Sequence, residues 1–129
     1  MDRLLDHFKE GGWGMFPTLV CGVIMLAVAV KYAAAPEKRL VPLLTGLGVL
    51  TLSTGALGFV TGLITTCGAI GSERFPADMT TRITIVGFGE SLNNLAFAFI
   101  FIVMAAICGS YGAYRVASSA APREGELAA

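Results

Sequence analysis

The chain has 129 residues, of which 55% are hydrophobic and only 14% charged, and its formal net charge is zero. A soluble domain of this size needs more charge to cover its surface, and a neutral chain offers no electrostatic footprint for nucleic acid. One histidine, and three cysteines without a CxxC pattern, exclude a two-histidine haem or a histidine-rich metal site within one chain. They leave no Ser/His/Asp, Cys/His or metal constellation for enzyme chemistry and imply no cofactor.

The first ten residues, MDRLLDHFKE, place Leu4, Leu5 and Phe8 on one helical face and charges on the other. This predicts a short amphipathic helix lying in a membrane interface, with His7 facing water. Gly11 and Gly12 break it, and Trp13 stands where an interfacial aromatic belongs. An uncharged run follows to Val30, with Pro17 in its first turn, where a missing N–H costs least. The first span covers about 13–32, and Lys31, Tyr32 and Pro36 stop it. It is too long for a signal peptide and lacks a small-residue cleavage site before a soluble domain. The short link KYAAAPEKR leads to a second span, about 41–71, with no charge. The link SERFPADMTTR leads to a third, about 83–114, whose one charge is Glu90. Each run exceeds the roughly 20 apolar residues that a bilayer crossing needs.

The predicted fold class is therefore all-α: an integral membrane protein with three transmembrane helices and a short N-terminal interfacial helix. Residues 1–115 form one membrane domain embedded in lipid. The tail, 116–129, is small, polar and predicted to be disordered. Cys21, Cys67 and Cys108 fall inside apolar spans and read as packing thiols. Lys31, Lys38, Arg39, Arg115 and Arg123 mark one side, and Arg3, Lys9, Arg74 and Arg82 the other. Read as a positive-inside bias, this puts the N-terminus outside and the C-terminus in the cytoplasm.

Span two carries a stripe of small residues, Thr51, Gly55, Gly58, Gly62 and Thr65, at alternating steps of four and three. That is one helical face, suited to close packing in lipid. Threonines bracket it, so the same face also serves as a candidate polar path. If the second and third spans fold as a hairpin turning between Ala77 and Asp78, Glu90 comes level with Thr65, and Asn93 with Gly62. Glu90 then meets hydrogen-bond donors at Thr65 and Thr66, as a carboxylate in lipid requires. It lies about nine residues, or ~13 Å, from the centre of span three near Phe99. That is just inside a hydrocarbon half-thickness of ~15 Å. The plainer reading is a helix-start carboxylate at headgroup level. Asn93 and Asn94 argue against it by carrying polarity another turn inward, and two adjacent asparagines cannot both face one narrow seam.

Three segments together resemble the MotA/TolQ/ExbB proton-channel family. FKEGGWGMFPTLVCGVIMLAVAV, Phe8 to Val30, is similar to the start of that family's first span. GALGFVTGLITTCGAIG, Gly55 to Gly71, is similar to its glycine-rich second-span pattern. GFGESLNNLAFAF, Gly87 to Phe99, resembles its third-span glycine-x-x-glutamate-alanine-leucine motif. The resemblance implies a homo-oligomeric ring of five subunits in a bacterial inner membrane, around single-span partners of the ExbD/TolR/MotB type. Ion flow would then drive movement of the partner. It also implies the same N-out, C-in orientation. The chain departs from the pattern in three ways. The link between spans one and two has no room for the family's cytoplasmic domain. Phe59 and Leu95 stand where the family's pore-facing threonines map, and they would form a dewetted apolar constriction.

The expected function is a ring-forming subunit of a proton-driven transport complex. Glu90, Asn93, Asn94, Thr65 and Thr66 line its ion path, Phe59 and Leu95 form its constriction, and Gly55, Gly58 and Gly62 are its packing seam. Two alternatives are a non-conducting scaffold with the same fold and an unrelated small pore former of the holin type.

Overall fold

A computed structural model describes residues 14–71 and 77–120. It contains three helices: α1, Met15–Ala34; α2, Leu40–Gly71; and α3, Ala77–Ala120. All three are long and apolar enough to cross a membrane, and no strand occurs among the described residues. The amphipathic segment with Leu4, Leu5 and Phe8, Trp13, the turn at 72–76 and the tail from 121 lie outside the described residues.

The helix ends follow from local chemistry. Pro17 and Pro42 sit in first turns, where no intrahelical donor is lost. Ala35 is extended, at φ −135° and ψ 90°, because a residue preceding proline disfavours the helical region. The exposed carbonyls at this end find donors. Ala35 N–H bonds Lys31 O at 2.9 Å, and the Arg115 guanidinium donates to Ala33 O and Ala34 O at 2.9 and 3.1 Å. A cation here also opposes the negative end of the helix dipole.

At ~1.5 Å per residue, α1 is about 30 Å long, α2 about 48 Å and α3 about 66 Å. Only α1 matches a hydrocarbon core of ~30 Å. The expected third span, 83–114, is extended at both ends, and the helix passes the expected start of the tail at 116 to reach Ala120. Near that end Ser118 and Ser119 bond the carbonyls of Tyr114 and Arg115, four residues back. Hydropathy marks where lipid contact ends, whereas a helix stops only where backbone geometry or competing hydrogen bonds stop it.

α2 and α3 form an antiparallel hairpin. α1 runs antiparallel to α2 and parallel to α3. Gly14 lies against Gly58 and Asn94, Gly22 against Phe101, and Gly112 against Tyr32, while Met25 lies by Gly48. α1 therefore covers only the half of the hairpin remote from its turn. The core sits there: Met25, Ala29 and Ala105 are buried, with Leu44, Leu47, Phe101, Ile102 and Cys108 packed around them. Elsewhere apolar side chains point outward. Ile64, Ile85 and Ile107 are each about two-thirds exposed (65%, 67% and 66%), the inverse of a water-soluble protein's pattern.

Candidate functional site

The face that α2 turns to α3 is a row of gaps filled from across the interface. A Cβ placed at Gly55 would fall 2.5 Å from Ala98 Cβ, one at Gly58 3.0 Å from Asn94 Cγ, and one at Gly62 2.5 Å from Ser91 Oγ. One turn further the roles reverse, and Gly87 of α3 makes room for Thr66 of α2. Gly55, Gly58 and Gly62 thus serve as a packing seam, but within one chain. Their Cβ positions are filled by side chains of α3 in the same hairpin. Thr51 continues the seam and is fully buried. Thr65 does not: it is exposed, and Thr66 takes the next place, because 3.6 residues per turn carries the stripe around the helix.

These contacts set the register. Gly62 meets Ser91 and Gly58 meets Asn94, a shift of two residues for the first pair and three for the second from the expected pairing. The helical start of α3 at Ala77 places the turn nearer the N-terminus than the expected Ala77–Asp78. The asparagines separate as their adjacency requires. Asn94 is buried between Gly14 and Gly58, and Asn93 is exposed.

The hydroxyls on α2 do not serve Glu90 as donors. Thr65 donates to Thr61 O at 3.0 Å and Thr66 to Gly62 O at 3.0 Å. Each hydroxyl has one proton, so it cannot also donate to a carboxylate. The same back-bonding recurs at Thr18, Thr51, Thr61 and Ser91. It satisfies polar side chains inside apolar helices and lets them pack as small residues. Glu90 itself is exposed, and among the described residues no hydrogen bond or ion pair engages it.

What gathers the polar groups is a groove of about 1050 Å³ along one flank of the hairpin. Gly14 and Pro17 stand at its base, and it is open above the point where α1 begins. Leu57, Ala69, Met79, Ile83 and Val86 form apolar walls, with Thr61, Thr65, Arg82 and Glu90 spaced along them. Arg82, counted with the link when the sequence is read by hydropathy, stands on the same groove side as Glu90, eight residues or ~12 Å away. The spacing Arg82, Val86, Glu90, Asn94 in steps of four was the available signal.

Phe59 and Leu95 belong to the other flank. The rings of Phe59 and Phe88 meet edge to face, with centroids 6.1 Å apart at 74°. Leu95 lies seven residues from Phe88 and so on the same helical face. Leu95 and Glu90 are five residues apart, about 140° around α3. The carboxylate and the apolar cluster therefore open to different sides of the hairpin. No group of three or more potential metal ligands occurs among the described residues. Cys21, Cys67 and Cys108 are free thiols.

Comparison with family models, with curated proteins and with solved structures gave no match.

Proposed function

We propose that the chain is a ring-forming subunit of an ion-driven complex of the MotA/TolQ/ExbB kind in a bacterial inner membrane. Its N-terminus lies outside, and it works with a single-span partner. The observation that supports this reading most directly is Glu90. It is a lone carboxylate in the apolar part of α3, opening to the side of the bundle in a groove flanked by hydroxyl-bearing turns of α2. A carboxylate at that depth is costly unless it is hydrated or met from outside the chain. Because the glycine seam is used within the chain, copies must associate through the exposed apolar faces. Those faces are extensive and include Val49, Leu57, Ile85 and Ile107.

The reading is tested by the mass of the 13.4 kDa chain in lipid nanodiscs, followed by ion-driven activity with its co-purifying partner. A closed multimer whose activity is lost in Glu90→Gln, with assembly intact, is the expected result. A monomer, or a fully active Gln variant, overturns it.

A second reading is a scaffold with the same fold and no conduction. The Phe59–Phe88 pair beside Leu95 favours it, because hydrocarbon side chains cannot replace an ion's water shell. Negligible proton leak through the chain alone in liposomes fits both readings. A gain of leak in Phe59→Thr, Leu95→Thr would place that flank on the ring axis. A silent but assembled double variant would leave it facing lipid or a neighbour.

A further inference from the structure

At the end of the bundle where α1 finishes and α2 begins, the helix contacts fix the level of each residue. The pairs Gly62–Ser91, Gly55–Ala98 and Leu44–Gly109 keep one antiparallel register between α2 and α3. Lys38 and Arg39 form the turn that opens α2, with Leu40 N–H on Glu37 O at 2.9 Å and Val41 N–H on Lys38 O at 3.3 Å. The register therefore brings Lys38 level with Arg115 and Arg39 level with Tyr114. α1 runs parallel to α3 with Gly22 by Phe101 and Tyr32 by Gly112, which brings Lys31 level with Tyr111. One band, ~6 Å deep along α3, thus holds Lys31, Lys38, Arg39 and Arg115 against the single acid Glu37, and all three tyrosines of the chain. Four cations less one acid leave three positive charges in excess. Among the described residues the opposite end carries Asp78, Arg82 and Glu90 and no tyrosine.

The band faces outward. All four cations are exposed, as are Tyr111 and Tyr114, at 60% and 69%. Arg39 is paired with Glu37, and Lys31 is close enough that its charge helps Arg39 to hold the Glu37 carboxyl below its usual range. Arg115 is bound to the α1 carbonyls through Nη1 alone. Among the described residues no hydrogen bond or ion pair engages Lys31 or Lys38. The level is that of a bilayer edge: α1 matches the hydrocarbon core in length, and Lys31 stands in its last turn. From there a lysine keeps its stem in lipid and carries its ammonium to the phosphates, and exposed tyrosines favour the same layer.

We propose that this band binds the headgroups of anionic phospholipids, with Lys31 and Lys38 as the free phosphate donors. Arg115 and Arg39 add charge, and the hydroxyls of Tyr111 and Tyr114 bond the same headgroup layer. The site is complete in one chain and does not rest on ion transport.

The test is native mass spectrometry of the full chain in detergent, titrated with phosphatidylglycerol or with phosphatidylcholine of the same acyl chains. Each cation at such a surface adds about fivefold to affinity. The first phosphatidylglycerol is therefore expected to bind at least fivefold more tightly than phosphatidylcholine. The double change Lys31→Gln, Lys38→Gln should bring the two lipids within twofold of each other, with helicity unchanged by circular dichroism. Lys31→Arg, Lys38→Arg should keep the preference. No preference in the unmodified chain, a preference that survives the double Gln change, or one lost equally in the double Arg variant overturns the proposal. If the double Gln variant fails to fold, Lys38→Gln alone, in the exposed link, is expected to lower the preference at least twofold, and an unchanged preference overturns the proposal.

Discussion

The two halves of the hairpin are built from the same seam and stabilised very differently. Below Gly58 and Asn94 a third helix closes the seam. Met25, Ala29, Thr51, Ala98 and Ala105 are all buried there, four of them to 2% exposure or less. Above that level the hairpin continues with the same glycine-for-side-chain exchange at Gly62 and Gly87. Yet Val86, Glu90 and Thr65 remain exposed. Close approach of two helices is thus supplied by glycine and, among the described residues, buries Ser91 alone on this half, whereas the wider burial lies where there are three helices. The polar and charged side chains sit on the two-helix half, where water or another chain can reach them.

The largest effect should come from filling the seam where it is closed on all sides. Gly55→Leu drives a side chain into Ala98 Cβ, which cannot rotate away. We expect about 3 kcal/mol of destabilisation, the upper end for overpacking, read by denaturant unfolding in detergent micelles. Gly62→Leu should cost somewhat less, since its nearest neighbour is the Ser91 hydroxyl, which can rotate at the expense of its bond to Gly87 O, whereas Ala98 Cβ cannot. Equal losses would mean that the two halves are equally constrained.

Arg115→Ala removes the guanidinium from the carbonyls of Ala33 and Ala34 and should cost ~0.5–1 kcal/mol. Hydrogen exchange should then increase in the last turn of α1 and not at the hairpin turn. Gly68, by contrast, has open space where a Cβ would be added. Gly68→Ala should therefore be neutral or stabilise by up to ~1 kcal/mol through helix propensity, and a clear loss would reveal a neighbour at that face.

The smallest effect concerns the link between α1 and α2. The hydrogen bond from Arg39, and then its charge, hold the Glu37 carboxyl below its usual range. Such a group adds stability above its unfolded pKa and loses it as pH falls through the lowered folded value. Both partners are on the surface, so the contribution is strongly screened. Glu37→Gln should leave the thermal midpoint unchanged at pH 7, and the variant should lack only the slight wild-type decline below about pH 4.

Much of this architecture was legible as hydropathy. Three uncharged runs predicted three helices, and Pro36 marked the end of the first. The small-residue stripe predicted one packed face on the second. The stripe's partner was not legible, because Gly55, Gly58 and Gly62 fit a neighbouring chain as well as they fit α3. Nor was the fate of the hydroxyls at Thr65 and Thr66. A donor near a carboxylate looks like its partner until the backbone carbonyl four residues back is seen to take the proton. Arg82 went unplaced because charge ends a span in a hydropathy reading without ending a helix.

The sequence by itself determined the number of helices, their apolar character and which residues are small enough for close approach, since these follow from local composition and from the fixed 3.6-residue turn. Only the tertiary structure decided what those residues approach. A register shift of two residues moves a side chain by about 200° around its helix. The observed register puts Ser91 against Gly62 and Asn94 against Gly58 and leaves Asn93 outside the seam. The way α1 covers only half the hairpin left Glu90 and Arg82 together on an open groove. The family resemblance aligned Phe59 and Leu95 on one axis, and the packing of Phe59 against Phe88 sets them on the flank away from Glu90.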